Sequence, residues 1–520
     1  KRQGEDSARS AWARRLVPTK DEIAKDRSKR SLLDKYERIV REVCYELMQR
    51  ELVYAEAYFG KSKGFMGKAS ILVPKEYTKL ALDFVINFVQ KRPELAELYA
   101  SSRDLGAYDI KVVVYPEWRN PEWEWFKASG AKGEEPPRIM MLFDVENNTA
   151  FLLGARYFGE IKKATLTLVW KTAVVNGIGA SIHGSSKALI TKEGDGFKKT
   201  VFITIGLSGS GKSTIGNDPH KEYLDYSAGE KVVLGNDDAL VILFDPVDPE
   251  EGTIGIEDNC YNKSNDYTPD SFYINTVLTA ENVLITKSED GKKIIIHEDV
   301  RNGNGRVETY RLALEGACDD INHPWPNYMS LIMKDETLPP IALVEHPSLL
   351  TSMFMCLATK SSSAENIPVE EMGKLKFIPG ANPFIVWPMT LEAETIEKMV
   401  KVTGCKGLIL NTGGFYIDKE HNDREEYEDI PKEISLSFYP KIARGEIEWE
   451  EWEDFPGLFI PKKGVFSPEY DRKYHPANVR DRENYIALLR KRVQERIAYL
   501  ESLSLPERFI APLRKVLEGG

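Results

Sequence analysis

The sequence predicts an α/β protein in two parts, and three observations carry that expectation. Residues Val201–Gly216, VFITIGLSGSGKSTIG, read as a β-branched run, a glycine-rich turn and the start of a helix. Short apolar runs alternate with helical patterns over much of the chain. A polar, glycine-bearing segment, Lys192–Lys199, leads into the first of these features, so the division is expected near it, into residues 1–195 and 196–520.

In the first part, Ser31–Arg50 places apolar residues at helical spacing, and Tyr77–Val89 does the same. Ile71–Pro74 and Lys111–Tyr115 read as strands. The segment Pro116–Phe126, PEWRNPEWEWF, and the Gly/Pro-rich stretch through Pro137 read as loop, with the tryptophans as packed anchors. Arg138–Phe143 and Ala150–Leu153 suggest a hairpin across Glu146–Asn148, and Thr165–Val169 is a further apolar run.

In the second part, apolar runs fall at Val232–Leu234, Leu240–Phe244, Ile294–Ile296, Leu331–Met333, Ile341–Val344 and Gly407–Leu410. Leu391–Val402 and Arg480–Leu500 carry helical patterns, the latter as a C-terminal helical extension. The acidic runs Arg424–Asp429 and Glu446–Asp454 read as solvated surface. No internal repeat is evident.

Composition narrows the function classes. With 42% hydrophobic and 29% charged residues, the chain has ordinary globular composition. A net charge of −11 argues against nucleic acid or an anionic membrane as the main partner, while leaving room for a small anionic substrate in a local basic pocket. The five cysteines are scattered without a C-x-x-C pair, which gives no zinc pattern and fits a reducing, cytoplasmic setting. No apolar run is long enough to cross a membrane, and no signal-peptide pattern is found.

Gly206–Ser213, GLSGSGKS, fits the phosphate-binding pattern G-x-x-x-x-G-K-[ST]. Gly206, Gly209 and Gly211 free the backbone to turn its N–H groups toward phosphate oxygens, with Ser208, Ser210 and Thr214 alongside. Lys212 reaches outer phosphates, and the Ser213 hydroxyl suits a magnesium ion. The expected ligand is therefore a nucleoside triphosphate or something close to it. Four further stretches stand out: Tyr157–Lys163 with paired lysines, Ser181–Lys187 with an imidazole among small residues, Val232–Asp238 ending in carboxylates, and Asn304–Arg306 with a guanidinium on a turn. Taken singly, the lysines and His183 read as ordinary solvated or structural residues.

Their order along the chain resembles the ATP-dependent phosphoenolpyruvate carboxykinases. That family has a Gly-Glu-Met-Lys-Lys segment, a histidine among small residues, a Gly-Leu-Ser-Gly-Thr-Gly-Lys-Thr loop, Gly-Asp-Asp, Glu-Gly-Gly-Cys-Tyr-Ala-Lys and Asn-Thr-Arg-Val. This chain carries Gly159–Lys163, His183, Gly206–Ser213, Gly235–Asp237, Glu257–Lys263 and Gly303–Val307 in the same order. Weaker likeness continues through Glu281–Val283, Leu338–Pro340, Leu410–Gly413 and Ile434–Ser435.

The resemblance implies a carboxykinase-like architecture, with substrate and metal on 1–195 and the nucleotide on 196–520. It implies Lys163, His183 and Asp237 as ligands of Mn²⁺, with Lys162 lowering the pKa of Lys163. Ser213 would hold Mg²⁺ with ATP, Lys212 and Arg306 would neutralise the transferred phosphoryl group, and Tyr157 would line the substrate pocket. The implied reaction is oxaloacetate + ATP to phosphoenolpyruvate + CO₂ + ADP. Four departures matter. Asn236 replaces an aspartate, Asp258-Asn259 replaces Gly-Gly, and Pro431–Ser435 lacks the arginine placed against the base. The Arg-Ser-Pro-Lys-Asp-Lys substrate motif is reduced to Arg9-Ser10-Ala11. Two alternatives stay open: a kinase of the same fold with another small acceptor, and a nucleotide-binding regulator without turnover. The oligomeric state is not legible in the sequence.

Overall fold

The computed structural model describes residues 14–133, 136–206, 210–264, 276–287, 291, 293–296, 305–360, 374–380, 385–416 and 427–518. The first part supplies β1 (Arg14–Leu16), α1 (Lys20–Lys25), α2 (Lys29–Leu47), β2 (Leu52–Ser62) and β3 (Phe65–Pro74). It continues with α3 (Thr78–Asn87), α4 (Pro93–Ala100), β4 (Ile110–Tyr115), α5 (Pro121–Ser129), β5 (Met140–Asp144), β6 (Thr149–Leu153) and α6 (Phe158–Val175). The six strands form one sheet in the order β1-β5-β6-β4-β3-β2. The expected hairpin is β5–β6, paired antiparallel from Met140↔Leu153 to Asp144↔Thr149.

The next strands are β7 (Gly179–Ile182), β8 (Gly184–Glu193) and β9 (Gly196–Ile205), followed by α7 (Lys212–Asn217), β10 (Lys231–Leu234), β11 (Leu240–Leu243) and β12 (Thr253–Gly255). Then come β13 (Cys260–Lys263), β14 (Val277–Glu281), β15 (Leu284–Lys287), β16 (Lys293–Ile296), β17 (Arg306–Thr309), β18 (Tyr328–Met333) and β19 (Ile341–Val344). The rest is α8 (Pro347–Met355), β20 (Leu357–Lys360), β21 (Leu375–Ile378), α9 (Met389–Thr403), β22 (Lys406–Asn411), β23 (Gly414–Tyr416) and β24 (Tyr427–Asp429). The chain closes with α10 (Lys432–Arg444), β25 (Trp449–Glu451), β26 (Leu458–Pro461), α11 (Pro468–Tyr474), α12 (Arg482–Ser502) and α13 (Ala511–Glu518).

An eight-stranded sheet, β10-β8-β9-β18-β22-β19-β26-β25, organises this second region. Its centre, β9, β18 and β22, is parallel, with Ile205 opposite Leu331 and Met333 opposite Asn411, so the three strands end on the same side of the sheet. Carboxyl ends of parallel strands are where α/β sheets leave a crevice for ligands. The division expected at 195/196 falls in the β8–β9 turn, whose two strands pair over their length within this one sheet.

Two large cores flank the site. One lies under the six-stranded sheet, with Phe84, Phe158, Val169 and Trp170 from α3 and α6 and Val241 and Ile254 from β11 and β12. The other lies around the eight-stranded sheet and includes Tyr485, Leu489, Val493 and Leu500 of α12. The Trp170 indole donates to the Leu240 carbonyl at 2.9 Å and so ties α6 to β11.

Three local expectations are corrected. Pro116–Pro137 is not loop throughout, because α5 forms within it. Asn120 accepts from the Glu122 N–H at 3.0 Å, Pro121 starts the helix, and Gly130 ends it at φ +64°. Trp125 of that helix is 66% exposed, so the tryptophans are not all packed anchors. The apolar run Thr165–Val169 lies in the middle of α6, which is buried on nearly all sides and so lacks a polar stripe. The acidic run Glu446–Asp454 includes β25 and the buried Trp452, so it is partly core.

Candidate functional site

The site assembles where four segments meet: the start of α6, the β7–β8 junction, the start of α7 and the Gly235–Asp238 turn between β10 and β11. α6 delivers Tyr157 as its N-cap residue and Lys162 and Lys163 in its second turn. Glycine is required at 159, because a Cβ there would sit 2.5 Å from the Tyr157 ring. Tyr157 is buried 6.5 Å from the Tyr261 ring, and burial raises its hydroxyl pKa despite the opposing pull of Arg306.

Asp238 is the hub. It follows β10 with a left-handed backbone, φ +81°, uncommon for a residue with a side chain. One carboxylate oxygen accepts from the Lys162 Nζ at 2.9 Å. The other accepts from the Lys212 Nζ at 2.5 Å and lies 2.9 Å from the His183 Nε2. Burial alone would favour a neutral acid, but Lys162, Lys212 and His183 hold Asp238 well below the usual carboxylate range.

Lys162 is 1% exposed and also lies 2.9 Å from the fully buried Glu257. Burial opposes its charge, yet Asp238 and Glu257 together keep its pKa raised. Glu257 is fixed by the Asn87 amide, which donates to it at 2.7 Å, and burial pushes this acid up to about 7. Lys163 is shifted the other way. Burial, then the nearby charges of Arg306 and Lys162, lower its pKa and favour the neutral amine. His183 is likewise lowered, first by burial and further by Lys212 and Lys163, while Asp238 opposes the shift; its ring stands edge-on to Trp170 at 6.3 Å.

Lys212 opens α7 directly after Gly211, which is at φ +93°. Against the cost of burial, Asp238 and Asp237 hold its pKa up. Asp237 itself takes a 3.2 Å hydrogen bond from the Asn217 amide on one oxygen; its other oxygen is buried without a hydrogen bond, 3.7 Å from Lys212. Asn236 faces away, its amide donating to the Glu257 carbonyl. Arg306 starts β17, with its guanidinium donating to the Gly305 carbonyl at 2.9 Å.

The structure therefore gathers Lys162, His183 and Lys212 around one carboxylate, with Asp237 on the Lys212 side. Arg306 acts on Lys163 and Tyr157 from β17. Gly206, Ser210 and Gly211 frame the turn, and Thr214 lies exposed on α7. Ser208, Gly209 and Arg9 lie outside the described residues, as does the Ser213 side chain. Asp238, Glu257 and Asn87 were not singled out from sequence. Two of these sat in plain view, Asp238 closing the Val232–Asp238 run and Glu257 opening Glu257–Lys263.

Behind the turn lies a second buried group. Lys187 on β8 donates to the carbonyls of Ile215 at 2.5 Å and Asp218 at 3.2 Å, and its Nζ is 2.6 Å from the His220 Nε2. The end of α7 is thus tied to β8 by one lysine.

The family model described as phosphoenolpyruvate carboxykinase matches residues 2–456. The chain belongs to the phosphoenolpyruvate carboxykinase family. It is 23% identical over 385 residues to phosphoenolpyruvate carboxykinase (ATP) of Aeropyrum pernix, covering 73% of this chain and 67% of that one. The glycosomal phosphoenolpyruvate carboxykinase (ATP) of Trypanosoma cruzi is 24% identical over 374 residues, covering 67% and 71%. That of Rubrobacter xylanophilus is 25% identical over 399 residues, covering 73% and 65%. The family match ends before β26, so α11, α12 and α13 lie beyond it. Among the described residues no helix is long and apolar enough to cross a membrane. Nor do three or more His, Cys, Asp or Glu residues group there to hold a metal ion.

Proposed function

We propose that the protein is a metal-dependent phosphotransferase that converts oxaloacetate and ATP to phosphoenolpyruvate, CO₂ and ADP. The observation that carries the reading is the convergence of Lys162, Lys212 and His183 on the Asp238 carboxylate in a chain of this family. Lysines that hold a half-buried carboxylate are equally suited to hold the oxygens of a transferring phosphoryl group.

In this reading the glycine-rich turn and Lys212 bind the outer phosphates of ATP. Loss of CO₂ from oxaloacetate leaves an enolate, whose oxygen attacks the γ-phosphorus while the bond to ADP breaks. Lys212 and Arg306 neutralise the charge that builds on the transferred group, Lys162 supports it from α6, and Tyr157 walls the pocket. Lys163, His183 and Asp237 would hold Mn²⁺. That set of two nitrogens and one oxygen includes no third acidic, imidazole or thiol group. It fits the cation in three respects: Lys163 and His183 are both biased toward their neutral forms, and Asp237 keeps one oxygen without a hydrogen bond. When bound, the manganese ion supplies Lewis acidity for enolate formation, and Mg²⁺ on Ser213 would accompany the nucleotide.

A second reading, a kinase acting on another small acceptor, draws on Asn236. An amide committed to the Glu257 carbonyl stands where the family motif has a carboxylate. Purified protein with Mn²⁺, Mg²⁺ and ATP separates the two. Oxaloacetate is offered first, then hydroxy acids, sugars, polyols and amino acids, with products followed by mass spectrometry. Phosphoenolpyruvate from oxaloacetate supports the first reading, and a different phosphorylated product without it supports the second. Nucleotide binding without turnover on any acceptor overturns both.

A further inference from the structure

The three parallel strands at the centre of the large sheet send adjacent loops toward the site. After β9 comes the glycine-rich turn, after β18 the turn 334–338, and after β22 the segment 412–414. These loops are bonded to one another. The Thr412 hydroxyl donates to the Ser210 carbonyl at 2.8 Å, and the Thr412 N–H donates to the Met333 carbonyl at 3.0 Å. The Asn411 amide lies against the carbonyls of Asp335 at 2.8 Å, Leu338 at 2.7 Å and Gly414 at 2.8 Å.

The middle turn is in turn clamped by α12. One Asp335 oxygen takes the Thr337 N–H at 3.1 Å and hydroxyl at 2.7 Å, and the other takes the Arg496 guanidinium at 2.8 Å. Arg496 is 1% exposed and Asp335 0%. The guanidinium also donates to the Cys356 carbonyl at 2.6 Å and lies over the Phe377 ring. Two further residues on α12 reach the same turn, Tyr485 donating to the Thr337 carbonyl at 2.9 Å and Arg492 to Glu336 at 2.7 Å.

A helix that merely covered apolar surface would need only Leu489, Val493 and Leu500. A fully buried ion pair is a costly way to gain stability and is better suited to fixing one geometry. We propose that Arg496 is a positioning residue for the nucleotide phosphates, acting through Asp335, Asn411 and Thr412 on the Ser210 carbonyl of the glycine-rich turn. The proposal rests on the nucleotide reading above and extends it to a segment outside the family match.

The test is calorimetric titration of MgATP into the full chain and its variants, with thermal unfolding measured alongside. Thr412→Val removes the bond to Ser210 and should weaken MgATP binding about 2- to 12-fold, the range for one hydrogen bond. Thr412→Ser keeps the hydroxyl and should bind within about 2-fold of the wild type. Arg496→Lys should weaken binding about 2- to 30-fold. Combined with Thr412→Val, it should bind no worse than the weaker single variant, because both interrupt one path. Asp335→Asn/Arg496→Met removes both charges of the buried pair, leaves Arg492, 3.6 Å from Asp335, its Glu336 partner at 2.7 Å, and should show the same loss of affinity.

A fall in melting temperature with MgATP affinity unchanged in both Arg496 variants overturns the proposal, and so does full additivity with Thr412→Val. Wild-type protein that binds no MgATP overturns the nucleotide reading and the proposal together.

Discussion

Lys187 offers the sharpest test of the energetics beneath the glycine-rich turn. Burial pushes its ammonium down from an ordinary value near 10.5 to about 7, with Asp218 opposing the shift. At 1.36 kcal/mol per pH unit, that gap amounts to about 5 kcal/mol of penalty on the charged form. The sign follows from proton counting. Below pH 7 the lysine is protonated both folded and unfolded, so the penalty is fully present. Above pH 7 the folded chain releases this proton while the unfolded chain keeps it to about pH 10.4, so stability rises with pH. The other groups facing Lys187 do not blur the window, since burial holds His220 down to about 2 and Tyr439 up to about 12. Lys187→Met abolishes this proton exchange and leaves the Ile215 and Asp218 carbonyls without their donor. The cost of those lost bonds shifts the stability curve, and the lost proton changes its slope. Guanidinium unfolding at pH 7, 8, 9 and 10 should show the wild type gaining about 3.5 kcal/mol on the variant across the series. Parallel curves for the two proteins would refute the reasoning.

Lys212→Ala should lower phosphoryl transfer about 100-fold or more while far-UV circular dichroism stays native; unchanged turnover would sink its assignment. Gly184→Ala should cost about 1–3 kcal/mol in denaturant, because a Cβ there would lie 2.6 Å from the Thr204 carbonyl oxygen on the neighbouring strand. Asn120→Ala should cost about 1 kcal/mol and speed amide exchange in α5, with other helices unaffected. Asp238→Asn keeps a residue that tolerates φ +81° but removes the shared carboxylate charge; with Lys162 still paired to Glu257 and the site half-buried, it should destabilise the fold by about 1.5–3 kcal/mol. A variant as stable as wild type in urea would show that the convergence carries no electrostatic weight.

What was legible in the sequence followed from periodicity and from ordered motifs. The strands Ile110–Tyr115, Tyr328–Met333 and Lys406–Asn411 and the helices Lys29–Leu47 and Arg482–Ser502 stand where apolar spacing puts them, within a few residues. α6 was obscured because nearly every face of it is buried, so the contrast that marks an amphipathic helix is missing. α5 was obscured because Pro121 and the tryptophans signal loop, while the Asn120 cap that overrides them is a single residue. At the site, residue order led to Lys162, His183 and Lys212, but the hub was invisible. Which of Asp237 and Asp238 meets Lys162 and His183 depends on one left-handed backbone step, and adjacent carboxylates look alike in a string of letters. Glu257 and Asn87 are partners through space, 170 positions apart, and no local pattern joins them.

The clamp by α12 also bears on how the protein is made. The three central parallel strands come from residues near 200, 330 and 410, and the counter-ion that Asp335 requires is at 496. Such long-range pairings close slowly, since loop entropy is lost before contacts repay it. During synthesis Asp335 emerges well before Arg496, at about 5–20 residues per second. For that interval of several seconds or more, a carboxylate destined for the interior has no partner and must stay in water. Until α12 has been made, the turn after β18 keeps its carboxylate in water, and ribosome-bound fragments that stop short of α12 are expected to expose that turn to solvent.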